Sequence, residues 1–193
     1  MQAPKDGLGS VPVRSQSASD APNQNTGSPL LQPGTPADSL PEVADSCLEA
    51  WRIALKGDEH GAMEKLRALD KKYPNTITVR FMMGQVEERC GSKENAVKFY
   101  REAVRQSRFS SMYTFKLAEA LRVSGKPEEA IGEYRRLISQ QPRFPDGHLG
   151  LARALMDIDK NSLEAREEIE IVLRQDPNQK EALELKKKAQ AKN

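Results

Sequence analysis

The sequence predicts an all-α protein in which four helix pairs stack one after another and a further helix caps the C-terminal end. Two residue types recur at a spacing of 34 residues, namely Gly57, Gly91 and Gly125, and Ala62, Ala96 and Ala130. Because the glycines and the alanines keep the same register independently, the chain contains an internal repeat. A period of this length is typical of helix–turn–helix arrays, in which each pair packs only against its neighbours.

The clearest copy of the repeat is residues 111–144, SMYTFKLAEALRVSGKPEEAIGEYRRLISQQPRF. Its diagnostic positions are Leu117, Ala118, Leu121, Gly125, Ala130, Tyr134, Leu137 and Pro142. This spacing resembles one unit of the tetratricopeptide repeat family. The resemblance extends over about 150 of the 193 residues. It implies a right-handed α-solenoid with a peptide-binding inner face, and therefore a protein that binds another protein.

Residues 1–41 precede the repeats and are rich in Pro, Ser, Gly, Gln, Asn, Ala and Thr. A segment with so few large apolar side chains cannot offset its backbone entropy, so we expect a disordered tether. The sequence SPLLQP at 28–33 leaves an alternative open, in which it is a short linear motif or folds back on the domain.

Four repeat units follow, and each is expected to form helix A, a turn and helix B. They are residues 43–76, 77–110, 111–144 and 145–179. The recurring glycines follow the A helices, where a left-handed residue is favoured, and Asp58 and Ser92 are expected to cap the B helices that follow. The fourth unit has one extra residue, which we place in the turn at 157–162.

Two parts of the chain depart from the regular repeat, namely the second unit and the C-terminal residues. Glu87 falls where the core of the second unit should hold an apolar side chain, so we expect its packing to be the weakest. Residues 180–193 are predicted to form a capping helix and tail, with Ala182, Leu183 and Leu185 turned towards the last pair. The lysines of this helix would then face water, as a terminal cap requires.

Composition and charge exclude several classes of function. The 30 basic and 28 acidic residues give a net charge of only +2, and no dense basic stripe with interleaved aromatics predicts nucleic-acid binding. No apolar run approaches the ~18 to 20 residues that cross a bilayer. We therefore expect no membrane insertion, and a cytoplasmic protein, or a periplasmic or exported one if Met1-Gln2-Ala3-Pro4 follows a processed start.

The sequence predicts no catalytic, metal or cofactor site. His60 and His148 have no cysteine or carboxylate at a recognised spacing, so both are expected to be surface or helix-packing residues. Cys47 and Cys90 would lie ~13 Å apart along the stack, beyond the ~7 Å Cα limit of a disulfide. Both are therefore expected to be free thiols, and the protein is not expected to be an enzyme.

The predicted binding site lies on the A helices, on the arc opposite helix B. In proteins of the tetratricopeptide family this arc lines the concave groove, and at ~100° per residue it holds positions 2, 5, 9, 12 and 13 of each unit. A hydrophobic floor is predicted from Trp51, Phe81, Met112, Phe115, Leu149 and Met156. The polar residues around it are Arg89, Arg122 and Arg153, with Gln85 and Glu119.

Such a surface suits an amphipathic helix or an extended peptide with apolar anchors and some acidic groups. In the alternative interpretation, the same side chains only pack between adjacent A helices. The Lys and Asn with which chaperone-binding members of the family clamp a carboxylate are replaced by Cys47 and Trp51. A chaperone C-terminal tail is therefore not the expected ligand.

The predicted function is that of an adaptor or assembly factor that holds a partner segment in the groove. Two alternatives remain open. The first is a self-assembling scaffold, since residues 77–110 carry +3 and residues 145–179 carry −4, which would allow head-to-tail pairing. The second is a tethered accessory subunit of a membrane-associated or exported complex.

Overall fold

Helices account for nearly all of the regular structure in the computed structural model, which describes residues 37–107 and 110–190. A short 3₁₀ helix, Ala37–Ser39, precedes nine α-helices, and no β-strand occurs in these residues. The α-helices are α1 Pro41–Leu55, α2 Glu59–Lys72, α3 Ile77–Arg89, α4 Lys93–Gln106, α5 Ser111–Val123, α6 Pro127–Gln140, α7 Pro145–Ile158, α8 Leu163–Gln175 and α9 Lys180–Gln190.

The helices pack in the order in which they follow one another along the chain. The pairs α1–α2, α3–α4, α5–α6 and α7–α8 are each antiparallel neighbours, and every even-numbered helix also packs on the next odd-numbered one. The odd-numbered helices touch along the stack as well, α1 with α3, α5 with α7, and α7 with α9. The predicted all-α array of four helix pairs with a capping helix is confirmed.

The turns inside the first three pairs depend on glycine. The φ angles of Gly57, Gly91 and Gly125 are 89°, 77° and 74°. Residues with a side chain rarely adopt this left-handed conformation, which commonly ends a helix at glycine. The next residues begin the following helices differently. The Asp58 carboxylate accepts a hydrogen bond of 2.8 Å from the Gly61 amide, as predicted, whereas the Ser92 hydroxyl makes no capping bond.

The folded part begins earlier than the repeat pattern indicates. Helix α1 starts at Pro41, and residues 37–39, which were expected to belong to the disordered tether, form the 3₁₀ helix. The Asp38 carboxylate accepts hydrogen bonds from the amides of Ile77 (3.1 Å) and Thr78 (2.7 Å) and so caps α3. The Thr76 hydroxyl donates to the Tyr73 carbonyl at 2.7 Å and makes no capping bond itself. The SPLLQP segment lies outside the described residues.

The core consists of three clusters, along α1–α3, α3–α7 and α7–α9. Small alanines at the helix crossings allow large side chains from the even helices to reach between the odd ones. The largest fully buried side chains are Tyr100, Tyr134, Leu66, Leu117, Leu121 and Leu137.

Charged residues at core-like positions of the second unit find partners at its edges, although Arg80 Nε and Asp70 Oδ1 are buried without a hydrogen bond in the described residues. Glu87 is half-buried and accepts a hydrogen bond of 3.3 Å from the Asn95 amide group. Arg80 bridges Asp70 of α2 at 3.1 Å and Glu102 of α4 at 3.5 Å. The α3–α4 pair packs closely despite Glu87, because the carboxylate of Glu87 lies at the edge of the core and not inside it.

Candidate functional site

The site considered is the exposed side of the odd-numbered helices, which we call the odd-helix face. On α1, Glu42 and Glu49 form ion pairs with Lys72 and Lys65 of α2, so the opposite side of α1 is turned away from α2. At ~100° per residue that side holds positions 2, 6, 9 and 13 of each unit. These residues are Ala44, Leu48, Trp51 and Leu55 on α1, Thr78, Met82, Gln85 and Arg89 on α3, Met112, Lys116, Glu119 and Val123 on α5, and Asp146, Arg153 and Asp157 on α7, where position 6 is instead the buried Gly150.

The first unit, with Met82 of the second, makes one end of the face apolar. Leu48 is 51% exposed and Leu55 is 56% exposed, whereas Trp51 and Met82 are half-buried beside them. Leu48, Trp51 and Leu55 are spaced at i, i+3 and i+7, so they form one stripe along α1. We call Leu48, Trp51, Leu55 and Met82 the apolar end of the face.

Arg89 lies beside the apolar end, and its positive charge is paired with a carboxylate. Its guanidinium lies 5.8 Å from the centre of the Trp51 ring, a cation–π distance. Its Nη2 donates to the Ala54 carbonyl at 3.1 Å and to the Glu59 carboxylate at 3.3 Å. The nearby carboxylate offsets the positive charge of Arg89, and what this end offers a ligand is mainly apolar contact.

The other end of the face holds an ion network that connects α5, α7 and α9. Arg153 donates to Glu119 at 2.9 Å and to Glu181 at 2.8 Å. Arg122 donates to Asp157 at 3.0 Å and lies 3.5 Å from Glu119. We call Glu119, Arg122, Arg153, Asp157 and Glu181 the ion network.

The carboxylates at the edge of the ion network lie further out than its arginines. The side chains of Arg122 and Arg153 are 20% and 27% exposed, whereas those of Asp157 and Glu181 are 44% and 43% exposed. Burial lowers the pKa of Arg122, but the hydrogen bond to Asp157 and the charge of Glu119 outweigh it and raise that pKa. Arg122 therefore stays charged, and both arginines are paired beneath a rim of carboxylate oxygens.

Glu119 also links the network to the core. The hydroxyl of the buried Tyr134 from α6 donates to the Glu119 carboxylate. Burial, and then the charge and hydrogen bonding of Glu119, raise the pKa of Tyr134, so its hydroxyl remains a donor. Tyr100 of α4 makes the corresponding bond to Glu88 at 2.8 Å. Both bonds fix a carboxylate at the boundary between the core and the odd-helix face.

The predicted site residues divide into three groups. Six of them lie on the odd-helix face: Trp51, Gln85, Arg89, Met112, Glu119 and Arg153. Arg122 and Met156, at position 12, are half-buried between neighbouring odd helices. The remaining three, at position 5, are Phe81, Phe115 and Leu149.

The position-5 residues do not form the exposed floor that the sequence predicts, because this position points along the stack. Phe81 is 6% exposed and its ring packs on Tyr100 at 5.4 Å and on Tyr113 at 4.6 Å. Leu149 is fully buried, and the half-buried Phe115 packs on rings of α6 and of the turn before α7. For this row the alternative interpretation, packing between adjacent helices, is the correct one.

Sequence reasoning missed position 6 of the face, which holds Leu48, Met82 and Lys116. Leu55 and Val123, at position 13, lie on the predicted arc but were not among the predicted site residues. Positions 2, 6, 9 and 13 follow the i, i+4, i+7, i+11 spacing of a single helical stripe. That stripe was available from the sequence, whereas position 5 lies beside it and belongs to the core.

The two histidines have no catalytic arrangement around them. His148 is buried, with Nδ1 2.5 Å from the Glu168 carboxylate and Nε2 2.9 Å from the Pro142 carbonyl. Both partners are acceptors, so both ring nitrogens must carry a proton to donate. The hydrogen bond to Glu168 raises the pKa of His148 against the effect of burial, with a further contribution from Pro142. His148 is thus a helix-packing residue, as expected.

Metal binding and membrane crossing find no support in residues 37–107 and 110–190. No group of three or more His, Cys, Asp or Glu side chains there is arranged to hold a metal ion. None of the helices in these ranges has the length and apolar character of a bilayer span.

Comparison with known proteins identifies the repeat. Residues 115–180 match the model of the tetratricopeptide repeat family. A search of curated proteins finds no significant match. Similar solved structures include MamA, with a TM-score of 0.62, 20% identity, and coverage of 72% of this chain and 91% of MamA.

Two further structures agree. A tetratricopeptide repeat protein from Parabacteroides merdae gives a TM-score of 0.69 at 17% identity, covering 76% of this chain and 58% of that protein. YrrB, described as a TPR protein with an unusual peptide-binding site, gives 0.60 at 16% identity, covering 75% of this chain and 82% of YrrB. At these identities the likeness establishes the fold alone.

Proposed function

We propose that this chain, which is a tetratricopeptide repeat protein, is a non-enzymatic interaction module that holds a segment of a protein partner on its odd-helix face. The observation that carries the proposal is the placement of exposed apolar side chains. Seven large apolar residues are well exposed in the described part of the chain. Four of them lie on this one face: Leu48, Leu55, Met112 and Val123.

Such clustering favours binding over chance exposure. Single exposed apolar residues are ordinary, but a group on one face marks an interaction surface. Covering a side chain that is about half exposed contributes on the order of 1 kcal/mol, so these residues act as anchors to which polar contacts of the partner must add. The peptide-binding site for which YrrB is described supports the same use of the fold.

The experiment that tests the proposal changes the face without touching the core. We choose Leu48→Glu with Met112→Glu, because both side chains are more than half exposed and neither belongs to the core clusters. Cross-linked pull-down from the source cells, read by mass spectrometry, should lose the partner in this double variant. Leu163→Glu on α8, where the side chain is 71% exposed, makes the same chemical change off the face and should retain it.

The result that would overturn the proposal is equally direct. If the double variant keeps the wild-type circular dichroism spectrum and thermal transition and still captures the same proteins, the odd-helix face is not the binding surface.

A self-assembling scaffold is the second candidate, and one observation favours it. Ile158 and Leu163 are 52% and 71% exposed on either side of the α7–α8 turn, away from the odd-helix face. A contact between copies through this turn would leave the odd-helix face open. Sedimentation of wild type and Leu163→Glu over a range of concentrations separates the two functions, since only the scaffold predicts larger species that this variant dissociates.

A further inference from the structure

The ion network and the apolar end together specify the chemistry of the partner. We propose that the bound segment is amphipathic and basic, with apolar side chains on the apolar end and a lysine or arginine at Asp157 and Glu181. This inference rests on the proposed function, because it concerns the same face. It replaces the acidic partner that the three arginines suggest from the sequence.

The arginines of the network are already bound inside the protein. Arg153 lies between Glu119 and Glu181, and Arg122 lies between Glu119 and Asp157. The two guanidiniums are only 20% and 27% exposed, so a carboxylate brought by a partner would compete with these contacts for the little surface that remains. Breaking a partly buried, hydrogen-bonded ion pair leaves a charge unpaired, which costs more than an exposed pair returns.

The charges of this end sum to a negative surface. Three carboxylates face two arginines within the ion network, which leaves the network with a net charge of −1. The more exposed members are Asp157 and Glu181, so a ligand meets carboxylates first. An acidic ligand is repelled at this point and a basic one is attracted, which fixes the direction of charge selectivity.

The outer carboxylates also have acceptor capacity to spare. The Asp157 contacts use Oδ2 and the Glu181 contacts use Oε1. Among the described residues, no donor is bound to Asp157 Oδ1 or to Glu181 Oε2. A lysine ammonium or arginine guanidinium can therefore bind at these oxygens without breaking the network.

The spacing between the two ends limits the length of the segment. Packed helices lie roughly 9 Å apart, and three such steps separate α1 from α7, which gives about 27 Å. An extended chain covers that distance in about eight residues. The inferred segment therefore carries apolar anchors about eight residues from its basic group.

Selection from a peptide library tests this inference on the full chain. The probe is a displayed library of random 16-residue peptides, selected on the immobilised wild-type protein at low ionic strength. We expect the bound sequences to combine apolar residues with a lysine or arginine about eight positions away. One selected peptide is then synthesised and its affinity is measured by fluorescence anisotropy, together with a version in which the basic residue is replaced by glutamate.

The variants are chosen to leave the fold intact. Asp157→Asn with Glu181→Gln keeps the shape of both side chains and one acceptor oxygen for each arginine but removes two negative charges, and should weaken the selected peptide about tenfold. The glutamate peptide should bind the wild-type protein more weakly than the selected peptide binds the double variant. This second comparison changes only the peptide and not the protein. Glu128→Gln, an exposed acid on α6, removes charge off the face and should change the affinity less than twofold.

The possible outcomes distinguish failure of the basic-segment inference from failure of the proposed function. Peptides that depend on Leu48 but are acidic, or show no charge preference, overturn the basic segment and leave the proposed function standing. Peptides unaffected by Leu48→Glu, or a library that yields no binder, overturn both. Self-association that Leu48→Glu abolishes in sedimentation assigns the face to a second copy of the chain and also overturns the inference.

Discussion

Gly150 of α7 lies directly against the ring of Tyr134 from α6. A Cβ atom at Gly150 would overlap Cε1 and Cζ of that ring, and the hydroxyl oxygen of Tyr134 lies only 2.9 Å from the same point. Gly84 of α3 stands in the same relation to Tyr100, with 2.6 Å between a built Cβ and the ring. Because each glycine lacks a side chain, it leaves room for the ring of a buried tyrosine from the neighbouring even helix. The hydroxyl of that tyrosine then binds a glutamate near the odd-helix face.

Substitution of Gly150 by alanine should destabilise the protein. The Tyr134 ring is fully buried and held by its bond to Glu119, so it cannot move aside without breaking contacts. Overpacking of this kind costs roughly 1 to 3 kcal/mol. Urea unfolding followed by circular dichroism measures the loss as a lower midpoint.

Gly132→Ala supplies the matched control. Gly132 is exposed within α6, and a Cβ there meets nothing within 4 Å. The same substitution should raise the free energy of unfolding by about 0.5 to 1 kcal/mol, because alanine is the better helix former. Equal effects at positions 132 and 150 would contradict the packing described for Tyr134.

The buried His148 should make stability depend on pH. The hydrogen bond to Glu168 raises the pKa of His148 above its ordinary value of 6.5, and the Pro142 carbonyl contributes in the same direction. The folded state therefore holds the proton more tightly than the unfolded state. This contribution is complete below about pH 6.5 and is lost as the pH rises through the folded pKa.

Thermal melting at several pH values measures this effect. The melting temperature of the wild type should fall as the pH rises from about 6, with about 1.4 kcal/mol for each tenfold difference in proton affinity. His148→Gln should be less stable than the wild type at pH 6, and its melting temperature should change less with pH. His60→Gln, at an exposed site 3.4 Å from Glu64, should reproduce the wild-type slope. A slope that survives in His148→Gln would assign the dependence to another group.

The two thiols should react at very different rates. Burial, with a smaller contribution from the charge of Asp38, raises the pKa of the Cys47 thiol to about 11. Cys90 is exposed at the end of α3. A thiol reagent at pH 8 should label one site in the folded protein and the second only on unfolding. Cys90→Ser should abolish the fast phase, and a fast phase that remained would mean that Cys47 is accessible.

Removal of the Asp38 carboxylate should destabilise the first two units. Asp38→Ala deletes both hydrogen bonds to the start of α3, and a lost cap costs roughly 1 kcal/mol. Asp38→Asn keeps one acceptor oxygen and should recover about half of the loss. Chemical denaturation of the three proteins provides the test, and equal midpoints would show that α3 needs no cap from the 3₁₀ helix.

The fold was accessible from the sequence because its signals are local and repeated. Each glycine turn, at Gly57, Gly91 and Gly125, and each crossing alanine satisfies a constraint within one helix pair. The same constraint recurs in the next pair, so a period in the sequence reports it. The start of α3 was not accessible in this way, since its cap, Asp38, lies about 40 residues earlier in the chain.

The site was only partly accessible, for a geometric reason. Helical periodicity separates two sides of a helix, but an odd helix in this stack has neighbours on three sides. Phe81 and Leu149 point along the stack towards the next odd helix, whereas Leu48 and Met82 lie one residue further on and face outwards. A rotation of ~100° separates adjacent residues, and the sequence alone does not say which side has a neighbour.

The bonds of Arg153 have a consequence for how this array changes in length. Arrays of this kind gain or lose whole units easily when each unit meets its neighbours through equivalent contacts. Arg153 instead joins Glu119 of the preceding unit to Glu181 of α9, a contact that no other pair of units in the described chain reproduces. Duplication or deletion of the fourth unit would leave one of these charges without its partner. Descendants of this protein should therefore inherit the last two units and the cap as one block.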